Sequence, residues 1–370
     1  MCIAPLSQEN LENMKNFKYK STDDSILYQK CMSPCLNKVV NYIPRNIAPN
    51  LITFISLCFN ILAAPISFSD GGFDFSYKLK SSTCIIIGSF QLLDSVDGKQ
   101  ARHTGNSTPF GMLMDHGCDV FTNILTAYNL SKLLLVGNDD YFSFSVFFGL
   151  LLGFYMMTYE EYKLGEMHFP KINGSDEGNF LIFLLGITLG IIGQDCIEYI
   201  IFDKYNITIG KLFGLVVILG GISCIFNLYL HTYQNKGIKE LPKILLDNIP
   251  FYNIIIIPLL FINYHLEFYK DNKWIILSNI SLLFARITID IQIKILTNDF
   301  ITCNIMFVFT NISLILILFI TKDFIMLYIL IILFILQAVE LSIFIFRRAE
   351  QIVEFLEIKI FCVKDQSIPI

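Results

Sequence analysis

The sequence predicts an all-α, polytopic integral membrane protein of about ten helices, and three observations carry that prediction. Hydrophobic residues fill 54% of the 370 positions and charged residues 16%, against roughly 25% charge in soluble domains. The mean hydropathy is +0.58. Long apolar runs recur from residue 51 to residue 346. A spanning helix needs about 20 apolar residues, so the composition accommodates roughly ten spans. A large soluble domain is excluded. The net charge of −5 argues against a nucleic-acid partner, which selects a basic patch.

Residues 1–48 mix charge with Leu, Tyr and Val, the pattern of an interfacial amphipathic segment. The first thirty hold no apolar run resembling a signal peptide, so insertion is expected to rely on the spans. The apolar runs fall at about 51–68, 81–96, 110–136, 141–158, 179–193, 211–230, 249–264, 274–292, 300–321 and 324–346. They divide into a core of about six helices over 49–230 and about four over 231–346, with a tail at 347–370. No linker or repeat separates them.

With ten spans both termini face the cytosol, and the positive-inside rule agrees. The cytosolic segments hold Lys15, Lys18, Lys20, Lys30, Lys38, Arg45, Lys99, Arg102, Lys163, Lys171, Lys236, Lys239, Lys243, Arg347 and Arg348. The opposite loops hold Asp139, Asp140, Asp195, Glu198 and Asp203. Cys58, Cys84, Cys118, Cys224 and Cys303 lie in or beside apolar runs and are expected as buried thiols. The Cys31 and Cys35 pair has no companion at zinc spacing. Gln337 and Glu340 are polar within the last run, placed to support helix association or a dimer interface.

Ionisable groups in a span are costly unless they face a cavity, a partner or an ion. Asp94 and Asp97 end the second run, and Asp115 and Asp119 begin the third. At about 100° per residue each pair shares one helix face. Two helices that each offer a carboxylate pair build an all-oxygen pocket suited to hard cations such as Mg²⁺. A pair of divalent ions relieves the repulsion among the acids and suits in-line displacement at phosphorus. Gly98, Ala101, Gly111 and Gly117 admit close backbone approach, and Arg102 offers charge to phosphate oxygens. The competing reading, an ion-pair cluster with Lys99 and Arg102, sets four acids against two bases.

Asp94-x2-Asp97-Gly98-x2-Ala101-Arg102-x8-Gly111-x3-Asp115-x3-Asp119 matches every fixed position of the CDP-alcohol phosphotransferase signature. The surrounding words, and Ala48-Pro49-Asn50-Leu51-Ile52-Thr53-Phe54, resemble the eukaryotic choline/ethanolamine phosphotransferase branch. The resemblance implies transfer of phosphocholine or phosphoethanolamine from CDP-choline or CDP-ethanolamine to diacylglycerol, with release of CMP. It implies two Mg²⁺ or Mn²⁺ ions on Asp94, Asp97, Asp115 and Asp119. Asn50 and Arg102 match positions contacting the nucleotide, and Gly98, Ala101 and Gly111 match small positions around it. It also implies a homodimer in the endoplasmic reticulum or a related endomembrane, with the site facing the cytosol.

The base that takes the hydroxyl proton is His116 in the eukaryotic branch and Asp119 in the wider family. Imidazole titrates near neutrality while a metal-bound carboxylate is a weak base, which favours His116. Two positions depart from the branch pattern: Met112 stands where Glu is usual, and His103 where a second Arg is common. The Glu160-Glu161 pair with Tyr159 and Tyr162 offers an anionic and aromatic contact for a cationic head group, although a solvated cytosolic cap is the plainer reading. Two alternatives remain. One is a family member with CDP-diacylglycerol as donor and a soluble alcohol as acceptor, usually nearer six spans. The other is a divalent-cation transporter, which normally carries its acids near the bilayer midplane.

Overall fold

Each of these apolar runs falls on a helix in the computed structural model, which describes residues 4–68, 77–134, 140–193, 195–301 and 305–363. The helices are α1 (Gln8–Asn16), α2 (Ser33–Val39), α3 (Pro49–Phe68), α4 (Tyr77–Thr104), α5 (Pro109–Leu133), α6 (Asp140–Leu164) and α7 (Asn179–Ile192). They continue with α8 (Asp195–Glu198), α9 (Ile209–Lys236), α10 (Leu241–Asp247), α11 (Ile249–Tyr264), α12 (Leu266–Thr297), α13 (Ile305–Ile317) and α14 (Asp323–Leu356). Strands are confined to short pairs: β1 (Ser21–Asp23) with β2 (Met167–Phe169), and β3 (Ile200–Phe202) with β4 (Ile207–Thr208). Asp139, Cys303 and the Cys84 side chain lie outside the described residues.

Among the described residues, five helical stretches are long and apolar enough to cross a bilayer: Asp140–Leu164, Gly174–Ile192, Ile209–Lys236, Leu266–Thr297 and Asp323–Leu356. The pair α10 and α11, bent by 49°, makes a sixth if it counts as one span. α4 and α5 have ample length at 28 and 25 residues, but they carry the carboxylates and basic groups that lower their apolar content.

α12 is the centre of the bundle, buried along most of its length and packed by α5, α6, α11 and α14. Tyr155 of α6 stacks on Phe251 of α11 at 4.1 Å between ring centres and 8° between planes. Gln337 donates to Asn279 Oδ1 at 2.7 Å, and Glu340 accepts from Arg286 Nε at 3.2 Å. These two polar residues of α14 therefore join helices within the chain. Cys118 is buried, whereas Cys58 and Cys224 are half-buried and Cys31 and Cys35 exposed.

Both ends of the chain fold onto one end of the bundle. α1 begins with a capping box at Ser7, and its Asn13 amide donates to Thr297 O at 3.1 Å. Gln351 of α14 exchanges two hydrogen bonds with the Leu6 backbone, at 2.9 and 3.0 Å. Parallel pairing of Ser21 with Met167 ties the amino-terminal segment to the end of α6. The stretch expected along the membrane surface thus buries Leu11 and Met14 against protein.

α6 and α9 approach closely because glycines meet. A Cβ on Gly221 would strike the Gly149 backbone, whose C lies at 3.0 Å and Cα at 3.1 Å, in addition to its carbonyl oxygen. Gly220, one residue away, has open space at its Cβ position. Gly221→Ala is expected to destabilise the protein by about 1–3 kcal/mol, the range for overpacking. Gly220→Ala should be neutral or stabilising by up to about 1 kcal/mol, from helix propensity. Thermal unfolding of the two variants in detergent checks the difference in sign.

Candidate active site

The site is assembled by one tight turn. Gly105, at φ +67°, ends α4 in a backbone region that favours glycine. Asn106 N closes the turn on Ala101 O at 2.9 Å. α5 restarts with Thr108 as its cap, accepting from Gly111 N at 3.0 Å, and with Pro109 in the first turn. Asp97 lies seven residues before the end of α4 and Asp115 six after the start of α5. At 1.5 Å per residue both stand about 10 Å from the turn. Asp94 and Asp119 are each ten residues from it, about 15 Å away. The four acids therefore meet in two layers across the helix pair.

Asp94, Asp97 and Asp115 each bring a carboxylate oxygen within 4.8 Å of the others. Asp94 also lies within hydrogen-bonding reach of Asp119. The Thr53 hydroxyl donates to Asp97 Oδ2, which anchors the buried carboxylate to α3. Oδ1 of Asp94 and Oδ1 of Asp115 are buried without a hydrogen-bond partner among the described residues. Orphaned buried carboxylate oxygens are expensive. An all-oxygen donor set with unused lone pairs fits a hard divalent cation, and Asp94, Asp97 and Asp115 could hold one.

The nearby bases do not neutralise these acids. The Lys99 ammonium donates to Ser33 Oγ at 2.9 Å and Asn37 Oδ1 at 2.8 Å, away from the carboxylates. Arg102 forms no ion pair among the described residues and lays its guanidinium over Gly98, where a Cβ would stand 3.7 Å from Nη1. The Gln100 amide holds α4 against the loop before α3, donating to Pro44 O at 3.1 Å and Ile47 O at 3.2 Å. Gly111 faces Asn50, whose Oδ1 would be 3.2 Å from an added Cβ.

Four contacts around the site had no signal in the sequence. The Asn50 amide donates at 2.9 Å to Ile360 O in the tail, and Phe361 packs on Phe54 at 5.8 Å. The His116 carbonyl accepts from Gln292 Nε2 of α12 at 3.0 Å. The His116 ring meets the edge of Tyr19 at 5.8 Å and 74°. Tyr19 precedes β1, so the β1 and β2 pairing sets it over the site. Desolvation around its hydroxyl, together with the charges of Glu161, Asp115 and Asp119, pushes the Tyr19 phenol above its ordinary range. It is a neutral group at any physiological pH.

The Glu160 and Glu161 pair is not a solvated cap. Their residues are 7% and 2% exposed, because α6 carries them between α9, α12 and the β2 segment. Glu160 Oε1 meets His231 Nδ1 at 2.7 Å. The Tyr159 hydroxyl donates to Asp247 at 2.7 Å, and the Tyr162 hydroxyl accepts from Ile301 N at 3.3 Å. Met112 joins a small apolar cluster with Phe110 and Met14, and His103 Nε2 lies 3.2 Å from Arg45 Nη2.

Four carboxylates thus converge where α4 and α5 face each other in an all-α membrane bundle, and comparison with known proteins identifies the family. Residues 46–166 match the CDP-alcohol phosphatidyltransferase family. Cholinephosphotransferase 1 of Gallus gallus is 31% identical over 239 residues, 61% of this chain and 68% of the relative. A CDP-alcohol phosphatidyltransferase class-I family protein 2 of Dictyostelium discoideum is 30% identical over 251 residues, 66% of this chain and 59% of the relative. Choline/ethanolaminephosphotransferase 1 of Arabidopsis thaliana is 29% identical over 190 residues, 49% and 47% of the two chains. The chain belongs to the CDP-alcohol phosphatidyltransferase family. It spans about half to two thirds of the length of these relatives.

The Thr53 contact can be tested alone. Thr53→Val keeps the shape and removes the donor to Asp97. The expected result is a ten- to hundredfold loss of metal affinity, roughly the range for deleting a group that orients a ligand. A titration of metal-induced thermal stabilisation measures it.

Proposed function

We propose that this chain transfers phosphocholine or phosphoethanolamine from CDP-choline or CDP-ethanolamine to diacylglycerol, giving phosphatidylcholine or phosphatidylethanolamine and CMP. The observation that carries this reading is the cluster Asp94, Asp97 and Asp115, with Asp119 in reach of Asp94 and no ion pair from a lysine or arginine to any of them among the described residues. The names of the relatives support the choice of substrates.

Asp94, Asp97, Asp115 and Asp119 hold Mg²⁺ or Mn²⁺, two ions by the family pattern. When bound, such ions neutralise the diphosphate and stabilise the departing phosphate oxygen. Arg102, without an ion pair among the described residues and folded over Gly98, swings onto phosphate oxygens, and Asn50 exchanges its tail contact for the nucleotide. His116 takes the proton from the diacylglycerol hydroxyl. The hydroxyl oxygen then bonds to the phosphorus that bears the amino alcohol. The bond from that phosphorus to the oxygen it shares with CMP breaks, and the electron pair leaves with CMP. Gln292 and Tyr19 position His116 from its carbonyl and its ring edge. Asp119, one turn further along α5, is the alternative base.

The site lies at the end of the bundle that carries both folded termini and the turn after α4. By charge bias this is the cytosolic face, where CDP-alcohols meet diacylglycerol in an endomembrane such as the endoplasmic reticulum. A homodimer is the assembly the family resemblance implies.

Membranes containing the chain are expected to convert radiolabelled CDP-choline or CDP-ethanolamine plus diacylglycerol into labelled phospholipid, with loss of turnover in EDTA. Asp97→Ala should fall on the order of a hundredfold or more. Labelled product from CDP-diacylglycerol and a soluble alcohol alone would overturn the assignment.

The base is separable from the ligands. His116→Ala should lose about 10²–10⁴-fold in rate with no recovery at high Mg²⁺, whereas Asp119→Asn should recover in part. A Mg²⁺ titration of both variants at saturating substrate reads the distinction.

A further inference from the structure

We infer that Glu161 is the counter-charge for the cationic ammonium group of the CDP-alcohol, which places the head group between α5 and α6 beneath Tyr19. The inference rests on the reaction proposed above and names the residue that recognises its amino alcohol.

The height of Glu161 follows from the helix pairing. α5 and α6 each have 25 residues and run antiparallel through one connection. Ser143 Oγ of α6 reaches Ser131 O of α5 at 3.4 Å, and Tyr128 meets Phe147 at 5.1 Å. Those contacts join residues nearly equally distant from the connection. Continued along the pair from those contacts, Glu161 is level with Leu113 and Met114, ~3–5 Å nearer the start of α5 than His116. Leu113 and Met114 bring no charge to that level, and the neighbouring Asp115 belongs to the aspartate cluster, so α6 supplies the carboxylate that the cluster does not use.

Glu161 is 2% exposed, and its Oε2 has no hydrogen-bond partner among the described residues. The candidates to satisfy it are engaged elsewhere. His231 binds Glu160, and the Lys163 ammonium sits 3.2 Å from Glu240 and 3.7 Å from Asp247. A buried carboxylate without a partner is strongly unfavourable, and a cation that arrives with the ligand removes that penalty.

The surroundings fit an ammonium. Tyr19 lies within the electrostatic reach of Glu161, Asp115 and Asp119. Its hydroxyl is turned to Met167 Sδ at 3.6 Å, and its ring edge lies on His116. Aromatic rings beside a carboxylate attract quaternary and primary ammonium groups. The head group of a CDP-alcohol is two carbons and one oxygen from the reacting phosphorus. A carboxylate ~3–5 Å along the helix pair from the proposed base is at a suitable remove.

The test uses the full chain in detergent or nanodiscs and compares binding of CDP-choline with its uncharged carbon isostere, in which the ammonium nitrogen is replaced by carbon. CMP is the control for an intact nucleotide site. The chain as it stands should prefer CDP-choline by about tenfold or more, a typical gain for a desolvated cation against an anion and a ring. Glu161→Gln should bring the two ligands within about threefold of each other. It should leave CMP affinity unchanged and raise KM for CDP-choline far more than it lowers kcat. A retained preference with CMP binding intact overturns the inference.

If Glu161→Gln loses CMP binding, the double variant Met112→Glu/Glu161→Gln decides. It returns a carboxylate within one turn of that level, and failure to restore the preference for the cation overturns the inference as well. Should the unsubstituted chain bind both ligands yet transfer nothing to diacylglycerol, the reaction reading fails. The comparison of charged and uncharged ligands still decides the role of Glu161.

Discussion

The crowding of like charge at the ends of α4 and α5 is the constraint on which the rest depends. Three carboxylates meet within 4.8 Å, with a fourth in reach of Asp94, and no lysine or arginine among the described residues pairs with them. Without compensating positive charge such a cluster resists folding, since each charge loses hydration and repels its neighbours. The surrounding structure holds it together by force of packing. The turn at Gly105 fixes the heights of the acids, Thr53 holds Asp97 from a third helix, and Gln100 locks α4 to the loop before α3.

That packing extends through the bundle. α12 lies between the site helices and the later ones, and through Gln292 it touches the backbone of His116. The glycine contact of α6 with α9 sets how closely these two helices approach. Under the proposed function, a ligand with phosphate at one end and an ammonium at the other meets the aspartate cluster at one level and Glu161 at another, and the apolar remainder of the chain encloses the lipid acceptor.

The periodic parts of this arrangement were legible in the sequence. Apolar runs of spanning length declare themselves by composition, and the four aspartates declare a shared face by spacing of three and four. The residues drawn from afar were not legible. Tyr19 reaches His116 only because β1 pairs with β2, more than 140 residues away. Ile360 meets Asn50 across 310 residues. Both contacts depend on short irregular segments whose sequence has no period. Glu160 and Glu161 misled for a related reason: two charges at a helix end normally mean solvent, and here the packing of α6 against α9, α12 and the β2 segment buries them. The number of bilayer crossings was also less readable than the number of helices, because the functional acids make α4 and α5 polar.

The central claim is that the aspartate cluster is a divalent-cation site, and Mn²⁺ binding followed by electron paramagnetic resonance tests it without reference to turnover. The account predicts two Mn²⁺ per chain, magnetically coupled, with binding reduced in Asp94→Asn and Asp115→Asn while the protein remains folded. Equal Mn²⁺ binding in the unsubstituted chain and in both variants, or none in any of them, would contradict it.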